Sequence, residues 1–328
     1  MAILWCGSED IDFPNGGAVT TDSTAGYFRA SYARGTIYNA NAGVMLRSIP
    51  FPGGAVTSCW FSFYGRTFTS LSTSKGYVGL GLSNTAKGLF IGSGASSTKL
   101  ALLKFDGTTW TVLASESGTS LTVATLHRFD IQVIDFGANA TINVYLGGAL
   151  LVTYTGDVTV SGMSNFDSVF TYCPLNATLI GLSEVIVADD DTRTLSLVTL
   201  APAAAGDANA WTGAYTAVDE IATNDADVVY TNTADQNCQF NLSNLPAGTF
   251  IIKGVKNAAR VAKSASATAN KLKLGVKTNS TVNVDTGSAA TTAWVTQERY
   301  MATNPVTAAD WSMAEIDALQ INLQSATV

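Results

Sequence analysis

The acidic residues are the first candidates for chemistry, because a retaining glycoside hydrolase needs two carboxyl groups about 5–5.5 Å apart. Residues two apart on a strand share a face and could hold such a pair. The chain has only six glutamates, and no two of them lie within five residues of each other: Glu9, Glu116, Glu184, Glu220, Glu298 and Glu315. The sequence therefore predicts a protein that is not an enzyme.

Aspartates cluster in two short segments that could bind a hard cation. Asp189 and Asp191 belong to a run of three aspartates, and Asp225 and Asp227 alternate in a second segment. Carboxylate oxygens are ligands that calcium prefers. Calcium held by these residues is the one metal cofactor that the sequence offers, and the alternative is a pair of solvated acidic loops.

Histidine and cysteine chemistry has few residues to draw on. The chain has one histidine, His127, and four cysteines that form no C-x-x-C pair. This set cannot supply the usual zinc ligands. We predict that Cys6, Cys59, Cys173 and Cys238 are buried thiols that pack as small apolar residues. His127 is predicted to open a strand and to have no catalytic role.

The six tryptophans are the candidates for stacking on a ligand ring. Most of them should belong to hydrophobic cores, because buried aromatic side chains dominate the packing of β-sandwiches. Trp110 differs, since it follows the Asp106-Gly107 turn signal of a predicted hairpin. Trp110 is therefore predicted to be the exposed aromatic residue that could bind carbohydrate.

The composition favours a protein of strands and tight turns. Of the 328 residues, 13% are charged, against roughly 25% in ordinary globular proteins. Thr, Ser, Ala, Gly and Asn take the place of the missing charges and suit strands and turns better than long surface helices. A surface with so little charge is prone to association. The composition therefore predicts a homo-oligomer, with a trimer as one form.

Two classes of partner are excluded by charge and hydropathy. The net charge of −7 argues against nucleic acid, whose binding requires a basic patch. The first residues lack the basic and apolar regions of a signal peptide, and no stretch approaches the ~18 apolar residues that would span a membrane. We expect a protein made in a cytoplasm, with no membrane insertion.

Strand signals begin near residue 44 and continue to residue 188. The clearest are the alternating segments 127–134 and 141–146, the latter joined by Gly147-Gly148 to a returning strand at 149–154. The polar run 189–193 and a predicted flexible loop at 202–207 place a domain boundary near residue 190. The sequence thus predicts domains at 1–190 and 191–328.

The second domain is predicted to contain strands at 250–255, 271–276, 282–284 and 294–296. One helix, from Met313 to Leu319, follows a capping box formed by Ser312 and Glu315. Trp311 and Ile316 should form its hydrophobic staple. The predicted fold class is all-β, with two tandem antiparallel β-sandwich (jelly-roll) domains and one short C-terminal helix.

The order of strands in the first domain resembles a concanavalin-like (laminin-G-like) jelly roll. The resemblance lies in His127 to Val133, Ile142 to Gly148, Leu150 to Gly156 and the closing strand Leu182 to Ala188. It covers about residues 1–190. Carbohydrate-cleaving members of this family use a pattern like E-x-D-x-x-E, which this chain lacks. The resemblance therefore implies a fold that can bind host cell-surface glycan without cleaving it.

The second domain resembles the C-terminal part of bacteriophage virion proteins. The matching segments are Asp191-Thr192-Arg193, Trp211-Thr212-Gly213, Val218-Asp219-Glu220 with Asp225-Ala226-Asp227, and Thr303 to Thr307 with Trp311 to Ile316. The resemblance implies a tail fibre, spike or head decoration protein of the virion that docks on other virion proteins. The alternatives are a lectin-like adhesin and, third, a glycan hydrolase.

Overall fold

A computed structural model describes residues 2–8, 10–12, 19–22, 35–39, 44–47, 50–67, 72–83, 85, 87–118, 121–122, 125–160, 162–173, 179–221 and 223–328. Nearly all of the regular structure is antiparallel β-sheet, and one α-helix lies near the C-terminus. The predicted all-β fold class is confirmed. The chain forms two compact units, Met1–Leu197 (unit 1) and Val198–Val328 (unit 2). No helix among the described residues is long and apolar enough to cross a membrane.

Unit 1 contains fourteen described strands. They are β1 (Ile3–Gly7), β2 (Val19–Asp22), β3 (Gly35–Asn39), β4 (Val44–Arg47), β5 (Cys59–Thr67), β6 (Lys75–Gly81), β7 (Gly88–Ser93), β8 (Leu100–Phe105), β9 (Trp110–Ser115), β10 (Leu126–Ile134), β11 (Ala140–Leu146), β12 (Ala149–Gly156), β13 (Ser168–Cys173) and β14 (Leu179–Ala188). The first three precede residue 44, where the sequence placed the first strand signals, so that expectation was wrong.

The strands of unit 1 form two antiparallel sheets. The larger sheet has the order β12-β11-β10-β5-β14-β3-β2, with β1 also paired to β14, and the smaller has the order β4-β13-β6-β7-β8-β9. Phe63 and Phe129 of the larger sheet and Val78 and Ile91 of the smaller one line the same small cavity. These side chains therefore lie between the sheets, and alternate residues of β5 and β10 face outward.

A layer of aromatic rings lies on the other face of the smaller sheet and depends on glycines. Phe90, Phe105 and Phe170 are buried together, and Trp110 packs against them. A Cβ added to Gly76 would overlap Phe90 and the Trp110 ring, and one added to Gly81 would overlap Phe170. The rings thus lie against the backbone of neighbouring strands, at positions where glycine has no side chain. These glycines serve packing, as does Gly79 in the Gly79-Leu80-Gly81 segment.

The described residues of unit 2 form eight strands and the helix. They are β15 (Pro202–Asn209), β16 (Asn237–Leu242), β17 (Val255–Val261), β18 (Lys271–Thr278), β19 (Thr281–Val284), β20 (Ser288–Ala289), β21 (Val295–Met301), α1 (Met313–Asp317) and β22 (Gln320–Ala326). One sheet has the order β15-β16-β22-β18-β19 with β20 on β18, and β17 pairs with β21 in a two-stranded ribbon.

Several sequence predictions for unit 2 were wrong. The segment 202–207, expected to be a flexible loop, is most of strand β15. The strand expected at 250–255 begins only at Val255. β16 and β22 were not predicted. The helix ends at Asp317 rather than Leu319, but its capping box between Ser312 and Glu315 is present as predicted.

Strand β15 lies at the end of its sheet and is irregular. Its pairing with β16 shifts register between Pro202 and Ala204 and again between Ala205 and Asn209. In the second shift, the backbone amides of Asp207 and Ala208 donate to the side chains of Gln320 and Gln239, both at 3.1 Å. Residues 206–208 therefore leave the regular pairing, and Asp207 and Ala208 bond to side chains of the sheet instead.

The core of unit 2 joins the sheet, the ribbon and the helix. Val276, Met301, Trp311, Ile316 and Leu319 are buried in one cluster. The indole nitrogen of Trp311 donates to the Met301 carbonyl oxygen at 3.1 Å. Both residues of the predicted hydrophobic staple are thus core residues, and the short helix is held mainly by this packing.

Replacing Gly79 by alanine should destabilise unit 1 by about 1–3 kcal/mol, because the new methyl group would overlap the carbonyl oxygen of Leu89 on the next strand. Thermal unfolding followed by calorimetry measures the change. Gly118→Ala is the matched control, since nothing lies within 4 Å of the Cβ position there. Equal melting temperatures for the two variants would contradict the packing role of Gly79.

Candidate functional site

The outer face of the larger sheet of unit 1 carries a row of polar side chains beside an aromatic ring. Trp60 of β5 lies opposite Gln132 of β10, Gln132 lies opposite Asn143 of β11, and Asn143 lies opposite Thr153 of β12. With neighbouring strands about 4.8 Å apart, the row spans roughly 14 Å. That length suits an oligosaccharide of two or three sugar rings.

The polar members of the row are joined side chain to side chain. The amide nitrogen of Asn143 donates to the Gln132 carbonyl oxygen at 3.0 Å, and the Thr153 hydroxyl donates to the Asn143 carbonyl oxygen at 3.1 Å. These bonds fix the direction of each amide. The face therefore presents an ordered set of donors and acceptors on strands, where positions are held more firmly than on loops.

An aromatic pair stands at one end of this row. Tyr145 lies on β11 two residues after Asn143, opposite Asp130. Its ring stacks with the Trp60 ring at a centroid distance of 5.8 Å and an interplanar angle of 25°. Both rings are half-buried. Arg193 completes the cluster, with its guanidinium carbon 5.0 Å from the Trp60 centroid and 4.8 Å from the Tyr145 centroid.

Arg193 belongs to a segment, residues 190–197, that we call the strap. Beneath it, Arg128 donates to the carbonyl oxygens of Thr192 at 2.8 Å and Leu195 at 3.0 Å. The Thr192 hydroxyl shares a hydrogen bond with the Ser62 hydroxyl. Thr192 is completely buried. The strap therefore lies on the outer face, and it belongs to unit 1, whereas the sequence placed the domain boundary before it.

The charge of Arg128 is balanced under the strap. Asp130 is 1% exposed, and its carboxylate accepts from the Ser62 hydroxyl at 2.6 Å and from Arg128 at 3.0 Å. A buried carboxylate is tolerated when it is paired and hydrogen-bonded in this way. Asp130 is thus occupied by fixing the strap and the Arg128 side chain.

The predicted calcium ligands are engaged in other bonds. Hydrogen bonds from Arg193 hold the pKa of Asp191 below its ordinary value, and hydrogen bonds from Arg260 do the same for Asp225. Asp189 accepts from the Ala2 amide, and Asp227 accepts from Asn224. Within the described ranges, no group of three or more potential ligands converges. A calcium site stays a prediction, and a cation would compete with both arginines.

Trp110 lies in the aromatic layer of the smaller sheet. Its ring is half-buried, stacks on Phe105 at 4.4 Å and meets Phe90 edge-on at 5.0 Å. Stacking of a sugar on Trp110 stays a prediction. It concerns only the part of the ring that Phe105 and Phe90 leave exposed. Sequence reasoning missed Trp60 and Tyr145, although the outward positions of Gln132 and Asn143 followed from the period-2 pattern.

The cysteine prediction is confirmed where the structure describes the side chains. Cys6, Cys59 and Cys238 are buried and form no disulfide within the described part of the chain, and burial raises the pKa of Cys238 to about 11. Such thiols are inert apolar residues. The side chain of Cys173 lies outside the described part of the chain, as does Glu9.

The cavity between the sheets of unit 1 is too small for a sugar. It has a volume of about 40 Å³ and an apolar lining that includes Phe63, Phe129 and His127. Ligand pockets are usually about 300–1,000 Å³. The Nε2 atom of His127 is buried, and the described residues give it no hydrogen-bond partner. We therefore assign His127 a structural role at the edge of the hydrophobic core.

No protein-family model matches the chain, and no curated protein matches it. Among solved structures, the chain is similar to a carbohydrate-binding module from Bacillus subtilis (13% identity, TM-score 0.35, 53% of this chain and 97% of that chain). It is also similar to the globular domain of T. cruzi calreticulin (14%, 0.40, 58% and 89%) and to a carbohydrate esterase of Shiga toxin-encoding bacteriophage phi24B (10%, 0.40, 58% and 99%). These identities and TM-scores are too low to bear on function.

The stability of unit 1 should fall as the pH drops below about 6.5, the ordinary pKa of histidine. Burial lowers the pKa of His127 in the folded chain, so the unfolded chain binds the proton first and folding loses stability with acidification. His127→Gln removes this group. Melting temperatures between pH 7.5 and 5 should fall more steeply for the unaltered chain than for the variant, and parallel curves would contradict the assignment.

Proposed function

We propose that this protein is a non-enzymatic glycan-binding protein and that the outer face of the larger sheet in unit 1 is its binding surface. The observation that carries the proposal is the Trp60–Tyr145 pair beside the ordered row of Gln132, Asn143 and Thr153. Sugars present both apolar C–H faces and hydroxyl groups. An aromatic surface flanked by amide donors and acceptors complements both.

The acidic residues near this face support binding rather than catalysis. Asp130 is bonded to Arg128 and Ser62, and Asp191 is bonded to Arg193 by three hydrogen bonds from the guanidinium. Glu184 is buried and accepts from the Leu197 amide at 3.4 Å. A general acid or nucleophile needs a carboxyl group that can reach the substrate. We infer that these carboxylates maintain the strap instead.

We infer further that the chain is a virion component of a bacteriophage, as a fibre, spike or decoration protein made in the host cytoplasm. In this role unit 1 would contact host glycan, and unit 2 would join copies of the chain to one another and to other virion proteins. The sequence resemblance of unit 2 and the low charge support this assignment. So does an exposed apolar pair in unit 2, Phe250 at 40% and Ile251 at 81% exposure.

Removing either part of the surface should weaken glycan binding about fivefold, because an aromatic contact and a buried hydrogen bond each contribute about 1 kcal/mol. The test begins with an array of bacterial surface oligosaccharides and continues by calorimetric titration of the oligosaccharide that binds best. Tyr145→Ala removes one ring of the pair, and Asn143→Ala removes the centre of the polar row.

The matched control is Tyr230→Ala in unit 2, which removes a tyrosine side chain that is 59% exposed and should leave the dissociation constant unchanged. If the unaltered chain binds nothing on the array at high concentration, the proposal is wrong. It is also wrong if both unit 1 variants bind as tightly as the unaltered chain, since the ligand would then sit elsewhere.

Analytical ultracentrifugation tests the assembly role. We expect the purified chain to sediment as an oligomer and the double variant Phe250→Ser, Ile251→Ser to shift toward monomer, because burial of each large apolar side chain contributes about 1.5–3 kcal/mol. Val328→Ser, which alters an apolar residue that is 84% exposed, is the control. A monomeric unaltered chain would remove the support for assembly through unit 2.

A further inference from the structure

We propose that Arg193 covers the aromatic pair of the candidate site, that a neutral sugar displaces it, and that Arg193 thereby sets the affinity of the site. This inference rests on the proposed glycan binding at the same surface. A single guanidinium group lies within about 5 Å of both ring centroids, at 5.0 Å from Trp60 and 4.8 Å from Tyr145. It therefore occupies space beside the rings that a stacking ligand would need.

The position of Arg193 lets its side chain move while its backbone stays fixed. Thr192, the preceding residue, is fully buried and is held by Arg128 and Ser62. By contrast, the side chains of Arg193 and Asp191 are 38% and 40% exposed. A change of rotamer is therefore enough to uncover the rings, and such changes in exposed side chains are fast.

The contacts that hold the cover are weak enough for a ligand to displace. Two are cation–π contacts at the surface, with Trp60 and with Tyr145, and the third is the exposed ion pair between Arg193 and Asp191 at 2.6 Å. Exposed contacts of both kinds contribute little each. Because a ligand that stacks on the rings must break both cation–π contacts, whereas the ion pair with Asp191 stays intact, removal of the arginine side chain should strengthen binding about tenfold.

The charges around the rings define the class of ligand. Arg193 is paired with Asp191, and Arg128 is paired with Asp130 beneath the strap. The guanidinium group over the rings and the one beneath the strap are thus neutralised before any ligand arrives. An acidic sugar would find no available cation at these positions, whereas an uncharged sugar would need only the ring faces and the polar row. The geometry therefore favours neutral oligosaccharides.

The decisive experiment compares the unaltered chain with Arg193→Ala on an array of neutral, uronate-bearing and sialylated oligosaccharides, followed by calorimetric titration of the neutral oligosaccharide that binds best. We expect about tenfold tighter binding by Arg193→Ala. Arg260→Ala is the matched control, because Arg260 also lies over a tryptophan, Trp294, and pairs with an aspartate, Asp225, but in unit 2. That variant should bind as the unaltered chain does.

A second measurement needs no ligand. Acrylamide should quench the fluorescence of Trp60 more strongly in Arg193→Ala than in the unaltered chain, and the part due to Trp60 is obtained by difference from Trp60→Phe variants of each. Arg193→Lys should give an intermediate result, because a lysine ammonium is a compact charge that cannot spread over two rings. Equal quenching in the Arg193→Ala variant and the unaltered chain would overturn the cover.

The outcomes separate this inference from the function it rests on. Binding by the unaltered chain that is unchanged or weaker in Arg193→Ala would overturn the cover and leave glycan binding intact. A preference for uronate-bearing or sialylated oligosaccharides would overturn the neutral class. Absence of binding in both chains would overturn glycan binding and, with it, the role of Arg193.

Discussion

The hydrogen bonds of Arg128 are the constraint on which the outer face of unit 1 depends. A guanidinium group can be buried only if its charge and its donors are satisfied, and Asp130 and two strap carbonyl oxygens satisfy them here. In return, the strap is fixed on the sheet, with Thr192 completely buried. The position of Arg193 over the rings follows from this anchoring, so the candidate site is built on a buried polar network.

The same network engages several polar residues near the site. Ser62 and Asp130 lie on the outward side of their strands, yet the strap covers them and uses their hydrogen bonds. The residues that remain at the surface are Gln132 of β10, residues of the neighbouring strands β11 and β12, and Trp60 at the end of β5. The half-covered sheet thus presents the polar row and the aromatic pair beside the strap.

Much of unit 1 could be predicted from sequence because its signals are local. The Gly147-Gly148 turn and the alternation of Ile142 and Val144 fix one hairpin within a few residues. The site could not be predicted in the same way. Trp60 and Tyr145 meet only because β10 lies between their strands in one register, and Arg193 reaches them only through the strap. Each of these conditions links residues far apart in the chain.

Unit 2 was harder to predict because the polar side chains of its strands find their hydrogen-bond partners on neighbouring strands. In β16 and β22 amide side chains alternate with apolar residues, and amides favour turns over strands when a segment is taken alone. In the sheet, Gln239 donates to Asn322, which donates to Asn237. These bonds between two strands remove the cost of burying Asn322, and neither strand shows them by itself.

The irregular edge strand β15 also limits how copies of the chain can join. A straight, exposed edge offers a continuous ladder on which strands of other chains can add without end. In β15 the ladder is broken at residues 206–208, where two backbone amides turn inward to Gln320 and Gln239. This irregularity disfavours open-ended growth by strand addition at the β15 edge. Under the proposed assembly, contacts between side-chain surfaces can instead close into a ring of fixed size.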